Sequence, residues 1–101
     1  MIIKTRNFKR SSDVVHRHVA GETILVPVRG NVADMQRLYA LDPVGAHAWG
    51  CLENACSIGE VATSLTAAFD VSDEDALVDL DSFFEQLLSR ELIYEVNNSD
   101  L

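Results

Sequence analysis

The sequence predicts an α+β fold: a three-stranded antiparallel sheet followed by three helices. Two observations carry this. β-branched runs with little helical spacing dominate residues 13–41, and Asp42-Pro43 then begins a series of segments with apolar residues at helical spacing. Each later segment opens on a residue suited to cap a helix, so the caps count the helices.

The strands come first. "DVVHRHV" (13–19) and "ETILVPV" (22–28) flank Ala20-Gly21, a two-residue break that suits a hairpin turn. Pro27 has no N–H for a ladder. It therefore belongs near the end of the second strand, at a bulge or on an edge. "RGNVADM" (29–35) is a longer connection, and "QRLYAL" (36–41) reads as the third strand.

The helices follow. Asp42 is a good N-cap and Pro43 fits the first helical position, where no N–H is needed. Val44, Ala48 and Leu52 recur at four-residue spacing, Gly45 lets the first turn approach a neighbour closely, and Trp49 is a core anchor. Ser57 and Glu60 form an S-x-x-E capping box, with Ile58, Val61, Ala62, Leu65 and Phe69 behind it. Ser72 caps the third helix. Asp73, Glu74 and Asp75 in its first turn complement the positive end of the helix dipole. That helix runs to about Arg90, and "LIYEV" (92–96) returns as a short strand. Two shorter helices and a longer one joined by tight turns, beside a small sheet, make a winged helix-turn-helix arrangement.

Composition narrows the function. The chain has 101 residues, 48% hydrophobic and 24% charged, which is the profile of one globular domain with a modest core. No apolar run has the length of a membrane span, and the start has no signal-peptide pattern, so the expected compartment is the cytoplasm. Cys51 and Cys56 make no disulfide framework. The net charge of −8 is uneven. Residues 1–52 hold seven Lys or Arg against four acids, and residues 53–101 hold one Arg against twelve. The third helix alone carries Asp73, Glu74, Asp75, Asp79, Asp81 and Glu85. A helix so charged is repelled by duplex phosphates, which argues against the runner-up reading, a winged-helix DNA-binding regulator.

No reactive constellation emerges, so no catalytic residue, metal or cofactor is expected. His47 and Cys51 share a helix face with Cys56 nearby, but C-x4-C with one His lacks a fourth zinc ligand. His16 and His18 alternate along one strand with no nucleophile beside them. The carboxylates of "SDEDALVDLD" (72–81) do not follow calcium-loop spacing.

The third helix instead has apolar residues to spare. Leu77, Leu80, Phe84, Leu87 and Leu88 make one stripe, with Ala76 and Phe83 beside it. Part of so wide an arc is available to line a groove. In a simple meander the third strand is an edge, with unpaired N–H and C=O groups that an extended peptide can use.

Three stretches resemble the PqqD-like family. "LDPVGAHAW" (41–49) resembles its L-N-x-V-G-A-x-I-W signature, "DLDSFFEQLLSRELI" (79–93) resembles its D-[VL]-x-x-F-L-x-x-L-x-x-x-G-L-[IV] pattern, and "VVHRHVAGETILV" (14–26) looks like its first hairpin. Asp42 stands for the usual Asn, Ala48 for a larger aliphatic, and Glu91 for the glycine after the last helix. The resemblance implies a non-catalytic recognition element. Such a protein holds the leader of a ribosomally made precursor peptide and delivers it to a modifying enzyme, a radical S-adenosylmethionine enzyme in the family's founding pathway. It further implies that the leader adds to strand three and packs on the third helix. The expected peptide-binding residues are therefore Arg37, Leu38, Tyr39, Ala40 and Leu41 with Leu77, Leu80, Asp81, Phe84 and Leu88. The expected domain spans 13–96, with an arm at 1–12 and a tail at 97–101. Both a monomer and a domain-swapped dimer are compatible with it.

Overall fold

The computed structural model describes residues 5–29, 32–33 and 37–96. The predicted tail 97–101 and the start of the predicted arm lie outside them. Ten elements follow in order: β1 (Asn7–Arg10), β2 (Val14–Val19), β3 (Glu22–Arg29), β4 (Val32–Ala33), β5 (Tyr39–Leu41), α1 (Pro43–Cys51), β6 (Cys56–Ser57), α2 (Ile58–Ala68), α3 (Asp73–Ser89) and β7 (Ile93–Val96). The α+β class, the hairpin and the three helices are as the sequence predicts.

The arm is a correction. Asn7–Arg10 is the central strand of a small antiparallel sheet, paired with β7 from Asn7↔Val96 to Arg10↔Ile93 and with β6 through Asn7↔Ser57 and Phe8↔Cys56. Its polar, charged sequence hides one apolar residue that matters: Phe8 is 2% exposed and meets Phe84 edge-to-face at 5.4 Å. Arg10 lays its guanidinium 5.5 Å from the Trp49 ring centroid. The returning strand at 93–96 thus completes a second sheet rather than extending the first.

The other sheet is built around β3. β2 pairs along one side of it, from Val19↔Glu22 to Val14↔Pro27. On the opposite side β5 pairs over Thr23–Leu25, and β4 pairs over Val28–Arg29. The turn joining β2 to β3 has Ala20 at φ +52° and Gly21 at φ +83°, the pair of positive angles that a type I′ hairpin needs.

The register explains where strand three begins. Val28 N–H donates to the Asp13 carbonyl at 2.7 Å, so the even-numbered residues of β3 direct their backbone groups at β2. The odd-numbered ones face β5. Continuing the β5 register from Leu25↔Tyr39 would set Pro27 opposite Arg37, and Pro27 has no N–H for that rung. The strand predicted over 36–41 is accordingly confined to Tyr39–Leu41. Arg37 and Leu38 lie outside it and are exposed, and residue 36 falls outside the described set.

The caps hold as the sequence predicts. Asp42 Oδ1 accepts from Gly45 N–H at 2.7 Å. Ser57 and Glu60 exchange both bonds of the capping box at 3.1 Å, and Ser72 Oγ accepts from Asp75 N–H at 3.2 Å. A Cβ on Gly45 would come 3.3 Å from Asp42 Oδ1 and 3.4 Å from Leu41 Cδ2, so glycine keeps this first turn tight on its own cap. α3 ends in a Schellman motif: Leu92 N–H donates to Leu87 C=O at 2.9 Å and Glu91 N–H to Leu88 C=O at 3.0 Å. Glu91 takes the left-handed position at φ +59°, which is why the family pattern has glycine there.

The core gathers Phe8, Leu25, Leu41, Ala48, Trp49, Leu52, Ile58, Val61, Leu65, Leu80, Phe84, Leu87, Leu92 and Ile93. Trp49 is the anchor the sequence predicts, at 2% exposure, although its indole N–H is buried with no acceptor among the described residues. Each fully buried leucine, isoleucine or phenylalanine contributes about 1.5–3 kcal/mol. His47 Nε2 lies 2.7 Å from Ser64 Oγ and its ring meets Phe69 edge-on at 5.6 Å, which ties α1 to α2.

Candidate functional site

A groove of about 800 Å³ runs between β5 and α3. Tyr39, Ala40 and Leu41 form one wall. Ala76, Asp79, Leu80 and Phe83, which recur at helical spacing on one face of α3, form the other. Val44, Gly45 and Ala48 of α1, together with Leu65, Phe69 and Val71 around the end of α2, close it below. The floor is apolar and firmly packed: Leu41, Ala48, Leu65, Ala76 and Leu80 are all buried.

The backbone of β5 gives the groove its polar feature. Tyr39 and Leu41 pair with odd-numbered residues of β3, so their N–H and C=O groups point inward to the sheet. Ala40 lies between them and presents its N–H and C=O to the open edge, which pairs with no other described strand. Their side chains divide the other way. Tyr39 and Leu41 face the core side of the sheet, and Ala40 the opposite face. Tyr39 is held in place by its hydroxyl, which donates to Gln86 Oε1 at 2.8 Å, by Phe83 at 6.4 Å between ring centroids, and by the Arg90 guanidinium 5.0 Å from its ring.

Of the residues singled out in the sequence, the structure brings Tyr39, Ala40, Leu41 and Leu80 to the groove wall. Arg37 and Leu38 are exposed but do not line it. Phe84 is fully buried against Phe8 and belongs to the core. Leu77 and Leu88 are half-buried against the core, and Asp81 is half-buried away from the groove. The predicted stripe is turned slightly about the helix axis: the groove takes Ala76, Asp79, Leu80 and Phe83. Ala76 and Phe83 were legible as apolar residues beside that stripe, and only the placement of α3 against β5 separates groove from core. The α1 and α2 contributions had no signal in the sequence beyond apolar spacing.

Cys51 and Cys56 are free thiols outside the groove. Burial, then the charge of Glu60, pushes the Cys56 thiol up from 9.0 to about 11, so it is held protonated and unreactive at neutral pH. No helix among the described residues is long and apolar enough to cross a membrane.

Residues 22–93 match the family described as Coenzyme PQQ synthesis protein D. The chain belongs to the PqqD family. Among curated proteins, none matches this sequence. Among solved structures, the PqqD-type chain is similar to TbiB1 in complex with the TbiA(beta) leader peptide, with a TM-score of 0.71 and 26% identity over 89% of this chain and 99% of that one. The match covers both walls of the groove in this PqqD family member, since β5 and α3 both fall within residues 22–93.

Proposed function

We propose that this protein binds the leader region of a ribosomally made precursor peptide and presents it to a modifying enzyme, in the manner of a radical S-adenosylmethionine partner, without catalysing a reaction itself. The observation that carries this reading is the open edge at Ala40 beside the apolar wall of α3. A peptide added as a strand on β5 gains main-chain hydrogen bonds at Ala40, and its alternate side chains drop toward Leu80 and Phe83. The fold and the leader peptide bound to TbiB1 support this reading. The acidic surface of α3 opposes a nucleic-acid role, because its exposed carboxylates would meet phosphates.

Ala40→Pro tests the mechanism. Proline removes the one N–H of β5 that faces outward, and prolines are tolerated on sheet edges. With a leader peptide that binds the unsubstituted protein, binding is expected to be abolished while the helical circular dichroism is retained. Amide exchange in the unsubstituted protein should slow over residues 39–41 and 76–83 on adding that peptide. Slowing confined to the hairpin 14–29 would refute strand addition here.

A further inference from the structure

The groove's rim is charged with one sign. Its titratable lining, apart from Tyr39, consists of Glu22, Asp42, Asp70 and Asp79, all exposed, with no Lys, Arg or His. Asp42 spends one oxygen on its helix cap. Among the described residues, no ion pair or hydrogen bond engages the side chains of Glu22, Asp70 or Asp79. The charges are also unevenly placed along the groove. Thr23 pairs with Leu41, so Glu22 and Asp42 flank the end of β5 that leads into α1. At the other end Tyr39 carries the stacked Arg90.

We infer that the segment this groove takes is cationic as well as apolar: a strand whose apolar side chains fill the floor and whose Lys or Arg side chains lie against the rim carboxylates of Glu22, Asp42, Asp70 and Asp79. The inference rests on the reading of the groove as a peptide site and names the chemistry of its occupant. Aliphatic contacts alone would leave the four rim carboxylates without a counter-charge, and an acidic segment would add repulsion. A basic segment relieves both, and the chain's charge of −8 draws it in from a distance.

A display library of random peptides about a dozen residues long, selected on the intact protein, tests this. Groove binders are those whose binding is lost on Ala40→Pro. Among them Lys and Arg should be enriched over Asp and Glu. Replacing their Lys or Arg by Gln should weaken binding about tenfold, as should raising salt from about 50 to about 500 mM. The protein variant Glu22→Gln/Asp70→Asn/Asp79→Asn, which spares the Asp42 cap, should lose the same affinity, and the Gln peptides should then show no further loss. Groove binders of neutral or acidic composition, insensitive to salt, would overturn the charge assignment and leave the peptide groove standing. A selection yielding no binder that Ala40→Pro blocks would overturn both.

Discussion

The two sheets of this molecule, three short strands around β1 and four around β3, have opposite duties. In the β1 sheet, β1 is paired on both sides and its Phe8 is locked against Phe84. In the β3 sheet, β5 and β2 are each paired on one side only, and β2 is largely exposed along its length. An unused edge is a hazard in a soluble protein, and it is usually blunted by charge, proline or shortness. Here the edge is kept to three residues by Pro27 and is rimmed by carboxylates. The β1 sheet holds the helices in place, so that the β3 sheet can leave the β5 edge open beside them.

The largest expected effect comes from breaking the β1 sheet. Phe8→Ala removes a buried ring from the middle of β1 and should cost about 3–5 kcal/mol in denaturant unfolding, with loss of the groove following from loss of the fold. Ala40→Pro is its mirror image, removing binding at little cost in stability. Loss of binding in a stable Phe8→Ala protein would mean that the two sheets do not divide the work in this way.

A smaller effect sharpens the same division. Glu91 holds a left-handed backbone angle between α3 and β7, where a side chain is strained. Glu91→Gly should stabilise the protein by about 1 kcal/mol, or roughly 4–8 °C in melting temperature, without changing peptide affinity.

The smallest effect is a pH dependence in β6. The folded pKa of Cys56 is raised from 9.0 to about 11, so the fold favours the thiol over the thiolate. Its contribution is fully present below pH 9 and is lost as pH rises toward 11. Cys56→Ala should flatten the stability profile over that window, and alkylation of Cys56 at neutral pH should be slow.

How much of this was legible depended on whether the signal was local. Asp42-Pro43, the Ser57–Glu60 box and Ser72 each act within one turn of chain, and all three helix starts were readable. Ala20-Gly21 announced its hairpin for the same reason. The β1 strand was not, because "NFKR" has a single apolar residue and its partners lie far along the chain, at Cys56–Ser57 and Ile93–Val96. The site was half legible. Tyr39, Ala40, Leu41 and Leu80 follow from strand and helix periodicity. Phe84 and Leu77 fit the same stripe equally well, and only the rotation of α3 against β5 separates Phe83, in the groove, from Phe84, in the core. Pro27 is instructive, since its oddity was visible in the sequence but its effect on strand three required the register.

The pairing of β1 with β7 also sets the order in which the protein can be finished as it is made. The hairpin 14–29 closes from neighbouring residues, so it can form early on a growing chain. Asn7–Arg10 has no β7 to join until Ile93–Val96 has been synthesised and has left the ribosome. Until then β1 has only the two-residue β6 to pair with, and the sheet that carries Phe8 to Phe84 is incomplete. Any reading-frame truncation before residue 93 would therefore yield an intact hairpin with its edge strand exposed and no body to carry it, the species most prone to stick to another copy of itself.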